Sequence, residues 1–180
     1  MKALFLAAGV IVAFPAAAQT VTIGNSLALD CFEAAIARDH DRNAFGHCNL
    51  ALRQENLTPQ DRAATLNNRG VLYLRGQNFK AAGKDFDAAV ETWDGNAEAW
   101  LNKAISALRR GGGIETLPMI ERSLELGTER QALAYYSRSI AYERGGQLRA
   151  AYRDLVKANQ LDPKWRAPAE DLKHFVVVRR

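Results

Sequence analysis

Few side chains in this 180-residue chain are able to do specific chemistry: two cysteines, three histidines, and asparagines and arginines that recur at regular intervals. Cys31 and Cys48 are the only thiols. A structural disulfide is the leading reading in an oxidising compartment, with a redox-active or metal-binding pair as the alternative. No C-x-x-C motif supports redox catalysis. Facing residues on antiparallel helices have numbers that sum to a constant, so a bond here requires a helical hairpin turning near 39.5, between Asp39 and His40. The closed loop of about 17 residues contributes about 3 kcal/mol by restricting the unfolded chain.

The remaining candidates point away from catalysis. His40, His47 and His174 are far apart in sequence, and His47 next to Cys48 on a helix does not face one metal with it. Asp39-His40-Asp41 reads as a solvated loop. Gly111-Gly112-Gly113 lacks the Lys-Ser/Thr of a phosphate loop and reads as a helix connection. No serine sits in a G-x-S-x-G context. Asn56-Leu57-Thr58 has the form of a glycosylation sequon, which carries little weight by itself. No catalytic, metal-binding or cofactor-binding constellation emerges, so the expectation is a protein that is not an enzyme and holds no cofactor.

A binding surface is the stronger signal. Residues at 0, 4, 7 and 11 share a helix face, and three such sets stand out: Ala64, Asn68, Val71, Arg75; Glu98, Asn102, Ile105, Arg109; Leu133, Ser137, Ile140, Arg144. Aligned, they form an amide or hydroxyl row (Asn68, Asn102, Ser137), a β-branched apolar floor (Val71, Ile105, Ile140) and an arginine row (Arg75, Arg109, Arg144). Asparagine donates and accepts, matching both halves of a peptide bond. The floor takes a side chain, and guanidinium takes a carboxylate bidentately. The alternative for the arginines is simple solvation near helix C-termini, where they complement the macrodipole.

The elements that must align these rows are legible as a repeat. Leu66, Gly70, Tyr73, Ala82, Phe86, Ala89 have spacings 4, 3, 9, 4, 3. Trp100, Ala104, Ala107, Thr116, Ile120, Ser123 and then Tyr135, Ser139, Tyr142, Ala151, Leu155, Ala158 reproduce them at offsets of 34 and 35 residues. Steps of 3 and 4 place each triplet on one helix face, and the step of 9 crosses a turn at Gly76-Gln77-Asn78, at Gly111 to Gly113 and at Gly145-Gly146. Small residues recur where antiparallel helices approach closely: Gly70 with Ala82, Ala104 with Thr116, Ser139 with Ala151. Large ones, such as Phe86, Ile120 and Leu155, fill the space between hairpins. One hairpin cannot bury these faces alone, so stacking holds the array together.

This pattern resembles the tetratricopeptide repeat (TPR) over about residues 61–165. The leucine usual before the glycine is replaced by Arg69, Lys103 and Arg138, and only Pro163 keeps the closing proline. The resemblance implies an all-α solenoid of antiparallel helix hairpins whose first helices line a concave groove. It also implies that Asn68 and Asn102 contact a ligand's backbone. Pro118 places the start of the second helix of the middle repeat late. Thr58-Pro59-Gln60-Asp61 supplies the N-cap, first-position proline and first-turn acid of the first clear repeat.

The division expected is a leader at 1–18, a degenerate N-terminal hairpin at 19–60, three repeats at 61–165 and a capping helix at 166–180, the last three forming one domain. Met1-Lys2, the apolar run Ala3 to Phe14, Pro15 and Ala16-Ala17-Ala18 have the parts of a secretory signal peptide cleaved near Ala18. Twelve apolar residues are too short to span a bilayer as an anchor. Removing the leader takes away Lys2 and no acid, lowering the net charge from +4 to +3. The expected location is the periplasm or beyond, with no membrane insertion after cleavage and no nucleic-acid partner. The expected function is a non-catalytic adaptor or scaffold, monomeric or weakly oligomeric, that takes an acidic or C-terminal peptide in the groove. A self-assembling module, or an accessory subunit of an envelope enzyme, is the alternative.

Overall fold

Thr58 caps its helix as its position predicts. The Asp61 backbone N–H donates to the Thr58 hydroxyl oxygen at 3.1 Å, and that hydroxyl donates in turn to the Asp61 carboxylate at 2.7 Å. Pro59 occupies the first turn, where its missing N–H leaves nothing unsatisfied. The computed structural model describes residues 26–37 and 43–175. The expected leader with its cleavage point near Ala18, the Asp39-His40-Asp41 turn and the chain from Val176 onward lie outside the described residues.

The described chain is all-α. In order come α1 (Leu27–Ile36), α2 (Ala44–Gln54), α3 (Pro59–Arg75), α4 (Phe79–Thr92) and α5 (Ala97–Arg109). A 3-10 turn at Ile114–Thr116 leads into α6 (Leu117–Glu125), followed by α7 (Gln131–Arg144), α8 (Leu148–Leu161) and α9 (Arg166–Leu172). No strand occurs among the described residues, and none of their helices is long and apolar enough to cross a membrane. Pro118 lies in the first turn of α6, which at 9 residues is shorter than the 14 of α4 and α8.

Helices pack in sequence pairs, α1 with α2, α3 with α4, α5 with α6 and α7 with α8, and each pair packs on the next. The first helices α1, α3, α5 and α7 also touch in that order, whereas the second helices make no comparable contact among the described residues. The core is accordingly strung along the stack. One cluster joins Cys31, Ala34, Ala44, Cys48 and Leu72; the next joins Ala63, Leu66, Ala89, Val90 and Ala99; the third centres on Leu101, Leu108 and Ile120. This packing is consistent with a helical repeat.

The close approaches fall where small residues stand. Gly70, Ala82, Ala104, Thr116, Ser139 and Ala151 are all buried. A Cβ on Gly70 would lie 2.5 Å from the Phe86 ring, itself fully buried, so this contact admits glycine alone without movement. In the first tight turn Gln77 adopts φ +58°, the left-handed conformation that Gly111 and Gly146 adopt in the following two turns.

The first hairpin is fastened at its middle and at its open end. Cys31 and Cys48 are bonded to each other across α1 and α2, with Cα atoms 4.7 Å apart. At the open end the Glu55 carboxylate accepts from the backbone N–H groups of Leu27 at 2.7 Å and Ala28 at 3.1 Å, and the Ser26 hydroxyl oxygen accepts from Leu29 at 3.1 Å. At the other end of the chain, Trp165 meets the Tyr136 ring edge-on at 4.8 Å and Phe175 lies 5.8 Å from Tyr152, so the last helix is pinned by aromatic contacts.

Candidate functional site

The three residue sets on α3, α5 and α7 are brought to adjacent helices, but their rows divide into occupied and free positions. Asn68 is half-buried and makes no side-chain hydrogen bond among the described residues. Asn102 is placed otherwise than expected. It is 2% exposed, its Nδ2 donates to the Asn67 Oδ1 at 2.8 Å, and its Oδ1 accepts from Arg130 at 2.9 Å. Both ends of its amide serve the stack, and at 2% exposure the group is not presented to a ligand. Ser137 is buried as well. The amide ladder thus runs Arg130–Asn102–Asn67, one residue away from Asn68 on α3.

The floor residues Val71, Ile105 and Ile140 are each half-buried. Ile105 and Ile140 rest on the Leu101–Leu108–Ile120 cluster, which fixes them while leaving part of each side chain open. Burying that remainder under a ligand is favourable at ~25 cal/mol per Å².

Two of the three arginines complete neighbouring helices. Arg75 donates to the Ala37 carbonyl at 2.7 Å, at the C-terminus of α1. Arg144 donates to the Leu108 carbonyl at 2.8 Å and to that of Gly112, at the C-terminus of α5. A cation here satisfies orphan carbonyls and complements the negative end of the macrodipole, so the favourable interaction crosses from one hairpin to the next. Arg109, on α5, is exposed and makes no hydrogen bond or ion pair among the described residues. It is the free guanidinium of the row.

Around these rows lie polar contacts that spacing alone did not reveal. Glu98 accepts from the Thr128 hydroxyl, the Glu129 backbone N–H and the Arg130 guanidinium, tying α5 to the segment that leads into α7. Arg69 pairs bidentately with Asp85 at 2.7 and 2.6 Å, and Arg138 with Asp154 at 2.6 and 3.0 Å. These are two of the three positions where the repeat pattern calls for leucine. Each pair ties the two helices of one hairpin, and its hydrogen-bonded carboxylate holds the guanidinium pKa above the ordinary value. The middle hairpin has no such pair: Lys103 reaches Asp87 at 2.9 Å, on α4 of the hairpin before it.

Tyr136 donates to Asp171 at 2.8 Å. Burial first, and that hydrogen bond second, push its phenol up to about 12, against the opposing charge of Arg109. An open cleft of about 580 Å³ lies near the start of α7 and the α8–α9 corner, lined by Ala132, Leu133, Leu161 and Trp165 with Arg130 and Asp162 among its polar members. Of the three sets on α3, α5 and α7 it includes Leu133 alone.

No group of three His, Cys, Asp or Glu able to hold a metal occurs among the described residues. His47 lies 3.2 Å from Asp30, His174 is exposed, and His40 is outside the described residues. Set against models of known protein families and against characterised proteins, the chain matches none.

Proposed function

We propose that the protein is a non-catalytic adaptor of the cell envelope, built as a TPR-like solenoid of three repeats between a disulfide-tied entry hairpin and a capping helix. A peptide segment with an acidic side chain or a free C-terminus lies across α3, α5 and α7. The observation that carries this reading is the coincidence, on adjacent first helices, of a half-buried apolar floor with unused polar groups at its sides. Val71, Ile105 and Ile140 supply the floor, Asn68 a free amide and Arg109 a free guanidinium. Contact among first helices without comparable contact among second helices supports a surface that curves towards the first set.

The proposed site is narrower than the three rows. Asn68 holds the ligand backbone and Arg109 its carboxylate, while Asn102, Arg75 and Arg144 keep the helices in register beneath and beside it. The test is a photo-crosslinking residue at Ile105 in cells, with the same residue at exposed Lys80 on α4 as the control. Capture of a discrete partner from position 105 and not from position 80 supports the groove. Equal capture from both positions contradicts it.

A further inference from the structure

The outward face of α8 carries a row of cations that the fold does not use. Arg149, Arg153 and Lys157 stand at i, i+4 and i+8, all exposed, and none makes a hydrogen bond or ion pair among the described residues. The one acid on this helix, Asp154, is 6% exposed and bonded to Arg138, so it does not offset them. The other second helices differ. The exposed face of α4 mixes Lys80 and Lys84 with Asp87 and Glu91, and α6 sets Arg122 against Glu125 at 3.5 Å.

Local electrostatics oppose this arrangement. Like charges at i and i+4 repel on a helix, and the row contains two such pairs. Arg149 is also the second residue of α8, at the positive end of the macrodipole, where an anion is favoured and a cation is not. Exposed Leu148 and Leu161 stand at the two ends of the helix, at 55% and 40% exposure.

We infer that this face is a docking surface for an anionic phospholipid bilayer. A straight row of equal charges on an outward helix face discriminates sign and little else. That suits laterally mobile headgroups better than the fixed pattern of a folded partner. The helix lies along the surface with its three cations over the headgroups, while its apolar stripe of Ala151, Leu155 and Ala158 stays buried in the fold. The surface is separate from the peptide groove and does not depend on it.

Each cation brought to such a surface is worth about fivefold in partitioning, so the three together give about a hundredfold. The test is sedimentation of the full chain with phosphatidylcholine vesicles, with and without phosphatidylglycerol. Neutral vesicles serve as the reference for the apolar contribution of residues 1–18, and the triple variant, which keeps Lys2, for their charge. Binding is expected to rise on adding the anionic lipid, to fade towards ~0.5 M salt, and to fall about a hundredfold for R149Q/R153Q/K157Q at unchanged helix content. Three results overturn the inference: no preference for anionic vesicles, full binding by the triple variant, or tighter binding to soluble polyglutamate than to vesicles, which assigns the face to an acidic polypeptide.

Discussion

Removing Asp154 should destabilise the last hairpin through Arg138 rather than through lost packing. The Asp154 side chain is 9% exposed and accepts at 2.6 and 3.0 Å from a guanidinium whose side chain is 21% exposed. Deleting one partner of a fully buried pair costs about 3–5 kcal/mol because the other charge is stranded. Here Arg138 keeps some water, and the rings of Tyr135 and Tyr142 lie 5.1 and 5.8 Å from it. Both soften the loss to about 2–3 kcal/mol. For a chain of this size that is a fall in Tm of about 4–12 °C. A cycle of Asp154→Ala, Arg138→Leu and the double variant, followed by urea unfolding with circular dichroism, isolates the pair. A coupling of about 2 kcal/mol is expected, with the double variant more stable than Asp154→Ala alone. The same cycle at Arg69 and Asp85 should agree, whereas Lys103→Met should cost under about 1 kcal/mol because its partner Asp87 is 52% exposed. A coupling below about 0.5 kcal/mol at Arg138 refutes the clamp.

Two further outcomes follow from backbone and titration. Gln77→Gly should stabilise by up to about 1 kcal/mol, and Gly146→Ala should destabilise by about 1 kcal/mol, since equivalent turns place these residues at φ +58° and +73°. Thermal melts check both, and a shift of opposite sign at either position contradicts the turn equivalence. The Tyr136 phenol titrates at about 12 in the folded chain against 10.0 ordinarily. The folded state therefore holds the proton longer, so its contribution is complete below pH 10 and is lost as pH rises towards 12. Tyr136→Phe should flatten that segment of the stability profile; an unchanged slope contradicts the raised titration of the Tyr136 phenol.

Helix positions were readable because burial imposes period: the 4, 3, 9, 4, 3 spacing falls on helix faces, and Gly70, Thr58 and Pro118 act where local sterics predict. Cys31 and Cys48 face each other as the hairpin arithmetic requires. The polar contacts were less readable, for reasons of reach. A helix face is resolved to about one residue, so Asn67 and Asn68 are not separable by spacing, and it is Asn67 that meets Asn102. Arginine side chains extend far enough to find a neighbouring helix, so sharing a face did not reveal that Arg75 and Arg144 bond carbonyls near the ends of α1 and α5. The signal for the clamps was present: an aspartate follows Arg69 and Arg138 by the same 16 residues.

The groove is tested most directly by titrating its crosslinked partner against wild-type protein and the Asn68→Ala/Arg109→Glu variant across salt. A bound carboxylate at Arg109 predicts at least a tenfold loss for the variant and an affinity that weakens with ionic strength. Unchanged affinity in the variant contradicts a ligand on this face.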